Sequence, residues 1–170
     1  MDLLFDEDHR LVFDGWNTHG VLGDRFTVNR RIQPYFRVQR RKYRFRILNS
    51  GPSRFYRLYL HMGEHTEPMV AGQTCAIEHY PEDRDELFTL ITGDGNFLPE
   101  ALEAKSIYMG VAQRVDVIID FAKYKDGDRL YLENRLEQHH GMGPSGREIT
   151  NPDEIRMHRL MVRRSRRSGG

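Results

Sequence analysis

Hydrophobic and polar residues alternate almost strictly along residues 40–50, RRKYRFRILNS: Arg40, Lys42, Arg44 and Arg46 fall on one side, Tyr43, Phe45 and Ile47 on the other. A period of two over this length predicts an extended strand with one buried face and one wet, cationic face. Asn-Ser-Gly-Pro at 49–52 supplies turn chemistry, and residues 55–60 resume an extended, aromatic-rich pattern. Further strands are predicted at 6–14, 26–29, 35–38, 87–92, 106–109, 114–121 and 129–134, with a last element at 157–163. Within 114–121, Val115, Val117 and Ile119 are expected to point inward, and Arg114, Asp116 and Asp120 outward. Gly93-Asp94-Gly95-Asn96 and Lys125-Asp126-Gly127-Asp128 read as tight turns, with Asp94-Gly95 a turn pair rather than catalytic chemistry. Pro99 to Ala104 (PEALEA) reads as one helical turn.

About nine short strands separated by turn signals, with no ten-residue helical stripe, describe an all-β sandwich or barrel. Residues 1–23 form a lead-in strand and a Gly-rich loop carrying Trp16, read as a satellite core residue or an interdomain anchor. The main domain is expected at 24–163. Residues 61–86 break the rhythm with Gly63, Pro68, Gly72 and Pro81 and an acidic run, so they read as a long irregular insertion with a short strand near 74–77. A second Gly/Pro-rich loop covers 138–152, and residues 164–170 form a basic tail expected to be disordered.

Composition narrows the function classes. The chain has 170 residues, and its 26 Lys and Arg nearly balance 25 Asp and Glu, so bulk charge announces neither nucleic acid nor membrane. Basic residues are nevertheless concentrated at 30–46 and 156–167. No apolar run approaches the roughly 18 residues a bilayer span needs. The acidic N-terminus, MDLLFDEDHR, is not a secretory signal, and localisation stays open. A single cysteine, Cys75, excludes a disulfide framework and a Cys-rich zinc site.

Several ordered blocks resemble one family. RRKYRFRILNSGPSRFYRLYL (40–60) is similar to the opening strand pair of the second cupredoxin domain of three-domain multicopper oxidases. FTLITGDGNFLPEAL (88–102) resembles that domain's later hairpin, and SIYMGVAQRVDVIIDF (106–121) its characteristic strand pair. DRFTVNRRIQPYFRV (24–38) resembles the family's Val-Asn-Gly entry, with Arg30 where glycine is commoner. LENRLEQ (132–138) adds a likeness to bacterial laccases of the spore-coat, bilirubin-oxidase and phenoxazinone-synthase kind. The resemblance implies a cupredoxin-like Greek-key β-sandwich or barrel, with 61–86 longer than the family's usual connection.

It also implies a chemistry that this chain lacks. Such oxidases take electrons at a type 1 copper and pass them to a copper cluster that reduces dioxygen to water. Type 1 copper needs a thiolate and imidazoles, because soft sulfur and imidazole suit copper in both oxidation states. The cluster is held by His-x-His pairs, and the ligand cysteine lies in a His-Cys-His segment; neither pattern occurs here. The expectation is therefore a chain with no catalytic residue and no metal or other cofactor of its own. It would be a domain of a larger copper enzyme, with flanking cupredoxin domains as partners and sticky or homo-oligomeric in isolation.

Two leftovers are candidate metal ligands. Cys75 and His79 are spaced Cys-x-x-x-His, with His61 and His65 upstream, yet no Met follows His79 at short spacing. His139 and His140 with Met142 bring soft donors into a flexible loop, but adjacent histidines on a strand point opposite ways. Surface-loop roles account for both. Alternative functions are a stand-alone cupredoxin electron carrier using Cys75 and a β-barrel nucleic-acid module using the basic stripe. The second is opposed by Tyr43 and Phe45, which lie opposite the cations, so one face does not both stack bases and neutralise phosphates.

Overall fold

The computed structural model describes residues 1–63 and 85–164. From the N-terminus the strands are β1 (Asp2–Phe5), β2 (Leu11–Val12), β3 (Arg25–Val28), β4 (Arg31–Ile32) and β5 (Tyr35–Val38). Next come β6 (Lys42–Leu48), β7 (Tyr56–Gly63), β8 (Asp85–Glu86), β9 (Phe88–Gly93) and β10 (Asn96–Ala104). The last are β11 (Ser106–Met109), β12 (Arg114–Asp120), β13 (Arg129–Asn134) and β14 (Arg159–Arg164), with one helix, α1 (Pro152–Met157), before β14.

Two sheets enclose the core. One is antiparallel in the order β10-β9-β12-β6; the other runs β11-β7-β13-β14-β5, with β8 also on β7. All their pairings are antiparallel except β14 with β5. Phe88, Val117 and Ile119 from the first sheet meet Leu58, Leu60, Ile107, Met109 and Leu130 from the second, with Phe121 and Tyr124 filling between. Each fully buried Leu, Ile or Phe of this kind stabilises the fold by about 1.5–3 kcal/mol. The alternation along β6 is as the pattern requires: Tyr43, Phe45 and Ile47 pack against the core, while Lys42, Arg44 and Arg46 are exposed.

A smaller sheet, β2-β1-β3-β4, carries the N-terminal residues. Asp2 fastens it to the body: its Oδ2 accepts from Arg54 Nε at 2.8 Å and from the Gly23 amide at 2.7 Å. The 49–52 turn is closed by Asn49, whose amide donates to the Arg54 and Gly110 carbonyls while its Oδ1 accepts from the Gly51 amide. The β9–β10 hairpin is a two-residue turn with φ of 48° at Asp94 and 91° at Gly95, the paired positive values of a type I′ turn.

Several expectations need correction. Pro99 to Ala104 is strand, not helix, because Leu102, Glu103 and Ala104 pair with β9; the irregular register before Leu102 accommodates Pro99 on an edge strand. Within 6–14 only Leu11–Val12 is strand: the chain turns at Asp6–His9, with the Asp6 carboxylate accepting from the Arg10 amide. Apolar β1, which precedes that turn, was not anticipated. The last element is a helix followed by a strand, with Asn151 capping α1 by accepting from the Asp153 amide at 3.0 Å. Asp116, expected outward, is buried beneath Arg44. β7 holds His61 in the sheet as far as Gly63, inside the stretch assigned to the insertion, and β14 extends through Arg164. The strand expected near 74–77 and residues 165–170 lie outside the described residues.

Candidate functional site

The strongest concentration of polar chemistry lies on the outer face of the longer sheet. In β7, Tyr56, Leu58 and Leu60 turn to the core, which puts Arg57, Tyr59 and His61 on the opposite face by the period of two. In β13 the same alternation places Leu130 and Leu132 inward and Tyr131 and Glu133 outward. Register then aligns them. His61 stands opposite Tyr131 on one side and Asp85 on the other, and Glu133 stands opposite Tyr59 and Arg159.

Arg135, just past β13, ties the group together. It donates to both Asp85 oxygens at 2.6 and 2.7 Å and to Glu133 Oε2 at 3.1 Å, with its guanidinium 4.4 Å over the Tyr59 ring. Asp85 also meets His61 Nδ1 at 3.0 Å, and Glu133 accepts from Arg159 Nε at 2.7 Å. The side chains of His61, Asp85, Glu133 and Arg135 are all nearly inaccessible. Burial pushes the Asp85 pKa up, but the hydrogen bonds from His61 and Arg135 outweigh it and hold the carboxyl below its ordinary value. A second carboxylate, Glu148, accepts from the Tyr59 hydroxyl at 2.5 Å and from Arg57 at 2.8 Å. Burial and this carboxylate raise the Tyr59 phenol. Two cations against two carboxylates, each bonded at short range, make a locked array. It fixes strand register and holds its groups away from solvent, rather than presenting an acid or base to a substrate.

Among the described residues the metal-ligand candidates do not come together. His139 is exposed and sits 3.4 Å from Glu137, whose carboxylate is already held by Ser145 and by Arg147 at 3.0 Å. His140 is exposed as well, bridging to Gly143, and Met142 is exposed beyond it. Among the described residues no three His, Cys, Asp or Glu side chains converge as metal ligands. Cys75, His79 and His65 lie outside the described residues. The described donors therefore do not fit copper.

The other singled-out residues have structural partners. Arg114 pairs with Asp94 in the hairpin turn, its amide donating to Asp94 Oδ1 at 2.9 Å. Asp116 takes Arg44, and Asp120 accepts from the Ala122 amide. Trp16 is 95% exposed and lies outside the core cluster, on a loop whose Asp14 and Asn17 side chains accept from nearby amides. The Arg135 array itself was missed. Its only local signal was charge at Glu133 and Arg135, close together at the end of β13.

No protein-family model matches the chain. A laccase of Bacillus stratosphericus is 36% identical over 104 residues, covering 61% of this chain and 16% of the laccase. The bilirubin oxidase of Albifimbria verrucaria is 29% identical over 145 residues, 85% of this chain and 22% of that enzyme. In the crystal structure of the McoA multicopper oxidase from Aquifex aeolicus, 99% of this chain superposes on 31% of that chain, with a TM-score of 0.66 and 25% identity. The chain shares the fold of one part of a multicopper oxidase and is similar to such enzymes in sequence. This cupredoxin-like domain thus spans about a sixth to a third of the length of the relatives it matches. Among the described residues, no helix of the domain is long and apolar enough to cross a membrane.

Proposed function

We propose that this chain is the second, copper-free cupredoxin domain of a multicopper oxidase. On this reading it is a scaffold joining copper-bearing domains in an enzyme that oxidises phenol- or aminophenol-type donors and reduces dioxygen to water. The observation that carries the reading is the match of nearly the whole chain to about a third of a larger oxidase, in a sequence with one cysteine, no His-x-His pair and no His-Cys-His segment. A type 1 site draws its thiolate and imidazoles from separate elements that meet. Here three of the six described histidines are engaged elsewhere: His61 in the Arg135 array, His158 against Phe26, and His139 beside Glu137 on the surface.

The array on the outer face suits a scaffold. A domain that holds two others at fixed geometry needs a stiff sheet, and buried, fully bonded charges specify register. Oxygen uptake tests the proposal. The purified chain, supplied with copper and an aminophenol, is expected to consume no dioxygen above the level of free copper. Turnover that saturates with donor would place the chemistry in this chain and overturn the scaffold reading.

A further inference from the structure

Residues 30–46 carry Arg30, Arg31, Arg37, Arg40, Arg41, Lys42, Arg44 and Arg46 and not one Asp or Glu, in a chain whose net charge is only +1. The structure brings much of this charge to one seam of the sandwich. Among the described residues, β6 ends one sheet and pairs only with β12, and β5 ends the other and pairs only with β14. The two ends lie side by side, because Phe36 of β5 packs edge-on against Tyr43 and Phe45 of β6 at 6.2 and 6.3 Å. Both strands therefore leave one row of backbone N–H and C=O groups without a ladder partner among the described residues.

The protein also shows what suits β6. Its existing neighbour, β12, presents Asp116 opposite Arg46 and Asp120 opposite Lys42, with Arg44 reaching diagonally to Asp116. The cations of β6 repeat at every second residue, about 6.6–6.8 Å apart, whereas β12 answers them with carboxylates only at every fourth, Ile118 standing opposite Arg44 between them. One ion pair results on that side. Lys42 and Arg46 carry no ion pair in the described structure, and Arg40 donates only to the Ala122 carbonyl. Charges on an edge strand also deter aggregation. That role needs few of them and leaves unexplained why Tyr35 and Phe36, 58% and 49% exposed, stand on the adjoining edge.

We infer that the free edge of β6 docks an acidic, extended polypeptide segment of a partner protein or domain, added as a further strand with carboxylates at alternate positions. The unpaired backbone row calls for peptide groups, which nucleic acid does not offer. Tyr43 and Phe45, which a nucleic acid would need for stacking, are packed on Phe121 at 5.6 and 6.2 Å instead. Strand addition of this kind takes affinity from main-chain hydrogen bonds and selectivity from alternate side chains.

The test is fluorescence anisotropy of the full chain with a labelled peptide of alternating Asp and Val, alongside the same peptide with every backbone amide methylated and a single-stranded DNA of equal charge. The Asp-Val peptide is expected to bind, to weaken as salt rises, and to lose at least tenfold in affinity with Lys42→Glu/Arg46→Glu. Lys42→Gln/Arg46→Gln, which keeps the exposed positions uncharged, should give a smaller loss, and far-UV circular dichroism checks that both variants fold. The methylated peptide is expected not to bind. Equal binding of the methylated peptide, tighter binding of the DNA, an unchanged affinity in the folded charge-reversed variant, or no binding of the Asp-Val peptide at low salt would each overturn the inference.

Discussion

His158 makes the fold measurably acid-sensitive. It follows α1 and lies against the Phe26 ring with 4.3 Å between ring centres, while the Arg54 guanidinium sits 5.0 Å over the same ring. Burial first, and the Arg54 charge second, lower its pKa from 6.5 to about 4; the Asn134 backbone and the Asp2 carboxylate pull the other way less strongly. An unfolded chain protonates this imidazole near its ordinary value of about 6.5. Between pH 6.5 and about 4 the unfolded state therefore binds a proton that the native state refuses, and stability falls as pH falls. At about 1.36 kcal/mol per pH unit the full window is worth about 3 kcal/mol. Urea unfolding followed by circular dichroism, in steps from about pH 7 to about pH 4.5, reads this loss as a falling midpoint. His158→Phe keeps an aromatic ring against Phe26 and removes the titration. Its stability curve should lie nearly flat across most of the window where the parent's slopes, so acidification lowers the parent's stability relative to the variant's. Parallel curves would refute the reasoning, because the slope would then belong to other groups.

Two further predictions concern the backbone and the array. Asn29 and Arg30 form the β3–β4 turn with φ of 50° and 67°, so an arginine occupies left-handed backbone that favours glycine. Arg30→Gly should stabilise the fold by about 0.5–1 kcal/mol, raising Tm by about 1–4 °C, while Arg30→Ala leaves Tm unchanged; calorimetry on the three proteins decides. Arg135→Met leaves Asp85 and Glu133 buried beside one cation each fewer and should cost about 3 kcal/mol or more, read as a lower urea midpoint at neutral pH.

What the sequence made legible was local. The alternation in β6 and β12 and the Asp94-Gly95 turn are written in neighbouring residues, and the structure follows them closely. Where pairing partners decide, local reading fails. PEALEA has helix-forming residues, yet β9 supplies a ladder that a six-residue helix cannot match. The turn at Asp6–His9 hides because its positive-φ residue is His9 rather than glycine, so turn and β2 read as one strand over 6–14. α1 is a single capped turn and a half, too short to leave a periodic stripe. The Arg135 array draws on positions 61, 85, 133, 135 and 159, and only the sheet's register makes them neighbours.

Copper binding tests the central claim most directly. The full 170-residue chain is equilibrated with Cu(II), then with Cu(I) under reducing conditions; copper per chain is measured after gel filtration and the visible spectrum recorded. A cupredoxin-like domain that serves as scaffold is expected to retain no stoichiometric copper and to develop no blue absorption, with Cys75→Ser indistinguishable from the parent. One tightly held copper per chain with intense blue absorption, abolished by Cys75→Ser, would contradict the account.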